Sequence, residues 1–483
     1  MIIDYAKDRQ LPEYDACVLG AGPAGITVAL QLSAAGWKVG LLEAGGLEFS
    51  EHSQALYAAK APSSLNLPWN RLRFFGGTSN HWSGRCRPFD ASDFEFAPLN
   101  GVPGWPLRYA EAARYLRPAM QILDLPAEGF KAVNGPLDQA SFAEDRYALS
   151  PPTRFAAKYL QAIRDSRRID LVLNCNCTEL RFVPGTRRVD AVLASDYEGR
   201  KSSVRAKTFV VALGGIENAR LLLASESLRA HGAGGPMLGR CFMEHLNVEL
   251  GEFVFANEGT TTAVQYYTTA AFARSQQIGV GNVSLNPVTE VISYGRTAKV
   301  KTFLKTLACD MGVAQKVQFV ANFACPGAGL VTTLLEQSPE PSNRIVLSGD
   351  RDKLGMPTAE ISWSLSDADV RTIRVIGMEV AKGFSRSGLG YMRLRDYVLQ
   401  PGTDIPVSPH AHHMGTTRMA AEPRWGVVDT DCKVFGTNNL YVAGSSIFST
   451  GGGCNPTLPI LQFALRLSDH LKARGLPAPN RAA

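Results

Sequence analysis

Apolar and polar positions change period twice within the first fifty residues. "YDACVLG" (14–20) is an apolar run of strand length, and "ITVALQLSAAG" (26–36) spaces its apolar side chains at helical intervals before Gly36. "KVGLLEAGG" (38–46) is a second buried run, with Glu43 at its end. This pattern predicts a βαβ unit over 14–43, its helix stopped at Gly36. Farther on, "DLVLNCNCTELRF" (170–182), "RVDAVLASDYEGRKSSVRA" (188–206) and "TFVVALGGIENARLLLAS" (208–225) predict a strand, a hairpin and a strand–turn–helix returning to the same sheet.

Residues 246 to about 400 have another character. "LNVELGEFVFAN", "QIGVGNVSLNP", "KVQFVANFACPG", "GLVTTLLEQSP", "NRIVLSGD" and "TAEISWSLS" are strand-like runs divided by turn residues. One long amphipathic helix, "DADVRTIRVIGMEVAKGFSRSG" (367–388), follows with Asp at its start. Strands in succession and then a helix predict an antiparallel sheet backed by helices. Near the end, "NLYVAG" is a short strand, and "GGGCNPTLPILQFALRLSDHLKARG" a loop and helix. Asn455 stands where an N-cap belongs, with Pro456 as the first helical residue.

At 483 residues the chain is long enough for two or three domains. A net charge of +6 without a Lys/Arg block argues against a nucleic-acid partner. The nine cysteines are odd in number and scattered, which favours free thiols in a cytoplasmic setting. Cys175 and Cys177, two apart, would share one face of a strand as packed thiols. The first residues carry charges and no apolar signal core, and no run approaches the ~20 apolar residues of a membrane span.

Gly20, Gly22 and Gly25 fit G-x-G-x-x-G between a strand and a helix, the context in which bare backbone lets a pyrophosphate reach a helix N-terminus. Glu43 can accept hydrogen bonds from a ribose. With no Arg beside it, an acid there argues against a 2′-phosphate. Gly214 and Gly215 offer either a second backbone approach to the cofactor or a tight turn. "HAHHMGTTRM" (410–419) concentrates three of the chain's eight histidines. H-x-H-H is no zinc spacing and has no Cys or carboxylate nearby, so no metal is expected.

These segments, with "GGTSNHWSG" (76–84) and "ALGGIENARLLL" (212–223), resemble the glucose–methanol–choline (GMC) family of FAD-dependent oxidoreductases, most of all its pyranose oxidase and sugar 3-oxidase-like members. The resemblance implies a discontinuous Rossmann-like α/β FAD-binding domain (1–95, 150–245 and 405–483). It also implies an α+β substrate domain with an antiparallel sheet (246–404, with parts of 96–149). The implied reaction is oxidation of a secondary alcohol of a sugar, glycoside or polyol by hydride transfer to flavin N5. Dioxygen, a quinone or a carrier would take the electrons.

The family's H-x-x-G-T pattern falls on His412, Gly415 and Thr416, and its later Asn-Pro on Asn455 and Pro456. His412 would be the base at the substrate hydroxyl and Asn455 its hydrogen-bonding partner. FAD would be held by Gly20, Gly22, Pro23, Ala24, Gly25, Glu43, Gly77, Thr78, Ser79, Asn80, His81, Trp82, Cys177, Gly214, Gly444, Ser445, Asn455, Pro456 and Thr457. His81-Trp82 is similar to the Thr-His-Trp segment of pyranose oxidases, so His81 either carries the flavin covalently or packs beside its ring. The chain departs from the family at Gly444, where many relatives carry Asp, and in being short. Rival readings are the same chemistry on a non-sugar alcohol, a flavin-dependent lyase, a redox-inert flavin protein and an NAD(P)H-linked reductase.

Overall fold

The computed structural model describes residues 1–95, 98–133, 137, 140–256, 264–287, 307 and 328–476. The expected strand "KVQFVANFACPG" lies outside the described residues. The first apolar run forms the strand Tyr14–Leu19, and the next forms the helix Pro23–Ala34 with Pro at its first position. Gly36, with φ at +91°, lets the chain leave that helix and enter Val39–Leu42.

The first sheet runs Ile2–Asp4, Ile169–Leu173, Val39–Leu42, Tyr14–Leu19, Lys201–Val211, Val189–Ser195, Asn176–Phe182, and Leu440–Val442 also pairs with Lys201–Val211. Pairing is parallel at its centre and antiparallel at the Val189–Ser195 edge. Its central strands are buried on both faces, as the unbroken apolar runs require.

Two details differ from the expected pattern. "DLVLNCNCTELRF" is two strands, because Asn174 takes a left-handed φ of 57° and breaks it. Those strands sit toward opposite ends of the sheet. Conversely, the second arm of the hairpin and the strand after it are one element, Lys201–Val211. It pairs antiparallel with Val189–Ser195 through its first half and parallel with Tyr14–Leu19 through its second.

The second sheet is mostly antiparallel and takes Glu249–Phe255, Val264–Thr268, Gly281–Pro287 and Ala328–Glu336, with Phe142–Leu149 and Arg85–Cys86 from earlier in the chain. The helix Asp367–Arg386 buries Ile373, Ile376, Val380 and Phe384 in the same apolar cluster as Val283, Leu285 and Val331 of that sheet. The runs at 343–350 and 358–366 do not join it. They form the hairpin Arg344–Arg351 and Pro357–Ser362, completed by Ala59–Lys60. Ile345 and Ile361 there cluster with Ile216 and Ala219 of the helix Gly214–Ala224. The last helix, Thr457–Ala473, starts one residue later than expected: Pro456 holds the N-cap position, and Asn455 does not cap it.

Candidate active site

One cavity of about 430 Å³ runs from the first glycine turn to the histidine segment. It is lined by Gly20, Gly22, Pro23, Ala24, Glu43, Gly77, Thr78, Ser79, His81, Trp82, Cys177, Gly214, Gly444, Ser445, His412, Asn455, Pro456 and Thr457. Gly25 and Asn80 are not on its wall. Gly25 is needed for packing, since a Cβ there would lie 1.9 Å from the Gly20 carbonyl oxygen. Asn80 spends its amide on the Phe75 carbonyl, 2.9 Å away.

The glycines facing the cavity behave differently. A Cβ at Gly22 or at Gly214 would meet nothing of the protein within 4 Å, so each would project into open cavity. This is the bare backbone that a dinucleotide's phosphates need at a helix N-terminus, and Pro23–Ala34 and Gly214–Ala224 both begin there. Glu43 accepts the Ala21 N–H at 3.0 Å and the Gly45 N–H at 2.9 Å. It holds both turns and keeps lone pairs for a ribose. The residues therefore fit FAD, and the described thiols, Cys177 included, are free.

Asn218, which sequence reasoning missed, ties the two later turns together. Its Oδ1 accepts the Leu213 N–H at 2.6 Å, and its Nδ2 donates to the Ala443 carbonyl and Ser446 Oγ. Ser445 Oγ donates to the His413 carbonyl at 2.7 Å. Gly215 is needed there, because a Cβ would lie 2.3 Å from that carbonyl oxygen. Gly415, at φ +84°, packs against the Cys241 carbonyl, which explains the glycine of H-x-x-G-T.

A short antiparallel contact sets the histidines. Met243 and Met414 exchange backbone hydrogen bonds at 3.0 Å. Continuing that register places Glu244 opposite His413 and His245 opposite His412. One residue past His245 the pairing resumes as Leu246 with Pro409, so the His410 side carries two extra residues, with Ala411 at φ 62°. His245 Nδ1 lies 2.8 Å from His412 Nδ1, and His245 Nε2 lies 2.7 Å from the Gly452 carbonyl oxygen. Glu244 Oε2 accepts the His412 backbone N–H at 2.9 Å, and Oε1 lies 3.2 Å from His413 Nε2.

Burial lowers all four of these imidazoles: His412 well below the usual range, His245 to about 4, His413 to about 3, and His410 below its ordinary value. Burial also pushes the Glu244 carboxyl up to about 8. At neutral pH the histidines are therefore uncharged, as a proton acceptor must be. His245 was missed from sequence, although Glu244-His245 directly after the apolar "CFM" was a readable signal. His81 is exposed on the cavity wall, and Trp82 is fixed by donating to the Thr153 carbonyl at 2.9 Å. The wall also holds Arg71, Arg73 and Arg220, which the sequence did not single out; Arg71 and Arg220 are paired to Glu217.

Among the described residues no group of three or more His, Cys, Asp or Glu is arranged to hold a metal ion, and no helix is long and apolar enough to cross a membrane.

Comparison with known proteins agrees with this geometry. An FAD dependent oxidoreductase family model matches residues 15–240, and the GMC oxidoreductase model matches residues 339–464. The fructose dehydrogenase large subunit of Gluconobacter japonicus is 27% identical over 58% of this chain, a match that spans half of that protein. The 2-methyl-1,2-propanediol dehydrogenase of Mycolicibacterium austroafricanum is 22% identical over 95% of both chains. Among solved structures, an FAD-dependent oxidoreductase from Chaetomium thermophilum has a TM-score of 0.61 at 15% identity, over 96% of this chain and all of that one. The fold and site are those of an FAD-dependent oxidoreductase. Over residues 339–464 the chain is similar to the GMC oxidoreductases, and it is an enzyme that oxidises alcohols.

Proposed function

We propose that the chain oxidises a secondary hydroxyl of a sugar, glycoside or polyol to a ketone, with His412 as the base and Asn455 as the partner at the substrate oxygen. Gly20–Ala24, Glu43, Gly77–Ser79, Gly214, Gly444–Ser445 and Pro456–Thr457 would hold FAD, which would supply the hydride acceptor. The observation that carries the reading is one cavity lined by both Asn455, whose amide makes no hydrogen bond among the described residues, and a half-buried, neutral His412.

The substrate hydroxyl gives its proton to His412 as the carbinol hydrogen departs with its electron pair. An amide N–H of Asn455 holds the oxygen as negative charge develops there, without competing for the proton. Ser83, Arg85 and His410 add polar groups to the same wall, which suits a hydroxyl-rich substrate. The named relatives, a fructose dehydrogenase and a propanediol dehydrogenase, support the sugar or polyol class.

The test is anaerobic mixing with sugars, glycosides, polyols and simple alcohols while following the oxidised-flavin band. Bleaching by a sugar or polyol supports the reading, and readmitting air shows whether dioxygen takes the electrons. Bleaching only by unrelated alcohols, or by none, overturns it. His412→Ala should slow that bleaching on the order of 10²–10⁴-fold with FAD still bound; an unchanged rate removes His412 as base. For the linkage, acid precipitation separates the two readings of His81: flavin colour kept in the pellet means a covalent bond, and colour released to the supernatant means an imidazole that packs beside the ring.

A further inference from the structure

His245 has no part in the reaction as proposed, yet it is fully buried against the base. Its two ring nitrogens have unlike partners, and that difference fixes where the protons are. The Gly452 carbonyl can only accept, so His245 Nε2 carries a hydrogen and donates it across 2.7 Å. A neutral His245 then has a bare Nδ1. His412 Nδ1, 2.8 Å from it, must supply the hydrogen between them. The two rings meet edge-on at 88°, so the lone pair on one nitrogen faces the other ring's edge. His412 is left with a bare Nε2, which makes no hydrogen bond among the described residues. In the opposite tautomer Nε2 would carry hydrogen, and the ring could take no proton from a substrate.

We infer that His245 is a positioning residue that locks His412 in the tautomer with Nδ1 protonated and Nε2 free to accept. The inference deepens the reading of His412 as base and rests on it for its catalytic consequence. The chain Gly452 carbonyl, His245, His412 is anchored at both ends. Glu336 accepts the Gly452 N–H at 3.0 Å, and Glu244 accepts the His412 N–H at 2.9 Å. Gly452 also lies in the loop that leads to Asn455, so one buried histidine couples the orientation of both proposed catalytic side chains. When His412 takes a proton, its Nδ1–H becomes a charge-assisted donor to the same nitrogen of His245, and the contact strengthens as the reaction proceeds.

Nitrogen-15 spectra of the histidine-labelled holoenzyme read the tautomer directly, with His412→Gln and His245→Asn assigning the signals. Expected are a protonated Nδ1 on His412 and a protonated Nε2 on His245. His245→Leu should release that preference and slow anaerobic flavin reduction on the order of 10²-fold or more, with kcat falling further than KM rises. His245→Asn keeps an acceptor, Oδ1, where Nδ1 stood, and should recover most of the rate and the Nδ1–H signal. The inference is overturned if wild-type His412 carries hydrogen on Nε2. It is equally overturned if His245→Leu changes neither tautomer nor rate, or if the folded, FAD-loaded Asn variant does no better than Leu. Should His412→Ala reduce flavin normally while the spectra show the assigned tautomers, the base reading fails and the tautomer lock stands.

Discussion

At the scale of single residues, two glycines of one motif do different work. Gly25 is required by the protein itself, because its Cα packs on the Gly20 carbonyl, whereas Gly22 faces open cavity. Gly25→Ala should therefore destabilise the apoprotein, lowering its melting temperature before any cofactor is added. Gly22→Ala should leave apoprotein melting nearly unchanged and weaken FAD binding about tenfold or more, measured by flavin fluorescence titration. Equal effects of the two on apoprotein melting would contradict this division. The motif was legible as a string, and its placement between strand and helix made the dinucleotide reading firm. The division of labour was not legible, since it depends on which carbonyl each Cα meets. His245 is the sharper case. It stands 167 positions from His412, and only the pairing of Met243 with Met414 brings them together.

At the scale of elements, local signals did well wherever the chain's own neighbours decide conformation. The helix Asp367–Arg386 starts at Ser366, whose Oγ accepts the Asp369 N–H, while Asp369 Oδ2 accepts the Ser366 N–H at 2.8 Å. This capping box also fixes Ser338, whose N–H donates to Asp369 Oδ1 at 2.9 Å. Ser366→Ala should cost about 1 kcal/mol. It should appear as faster hydrogen exchange in the first turns of that helix, with FAD binding unaltered. Unchanged exchange there would show that Asp369 alone holds the turn. Errors arose where partner strands choose. No proline or glycine marks the break at Asn174, and nothing local announces that Lys201–Val211 changes partners halfway. The hairpin at Arg344–Ser362 comes from apolar runs of strand length bounded by turn residues, like the strands of the larger sheet, so the local pattern could not say which sheet it would join.

At the scale of the whole molecule, buried titratable groups around the histidine segment shape stability against pH. Glu244 is held near 8 and Glu336 near 7 by burial, against about 4.3 for an exposed carboxyl. The folded state thus binds their protons more tightly, a contribution complete below the unfolded value and lost as pH rises toward 8. His413 and His245, lowered to about 3 and about 4, act in the opposite sense. Their contribution is complete above about 6.5 and declines as pH falls through the lowered values. Stability should be greatest at mildly acidic pH, between these two losses. Glu244→Gln keeps a carbonyl oxygen for the His412 N–H and cannot ionise. Its melting temperature should exceed wild type by a margin that grows from pH 5 to 8, whereas a constant offset would refute the buried carboxyl as the source.

What the sequence determined by itself was whatever is written in neighbours. The βαβ unit and its glycine turn, the dinucleotide site, and the antiparallel second sheet with its long capped helix follow from periodicity, turn chemistry and short-range spacing, while FAD and the H-x-x-G-T and Asn-Pro segments come from the resemblance to a family. The tertiary structure decided which distant segments meet. It set His245 against His412, Asn218 between two turns, Asp145 beside Arg85 and Arg87, and the Gly452 carbonyl at the far nitrogen of His245. Those contacts join residues tens to hundreds of positions apart, through strand register and the packing of buried polar groups that must find partners. A linear pattern carries no record of such a partner, so the residue that sets the proposed base's proton became visible only once the chain had closed around it.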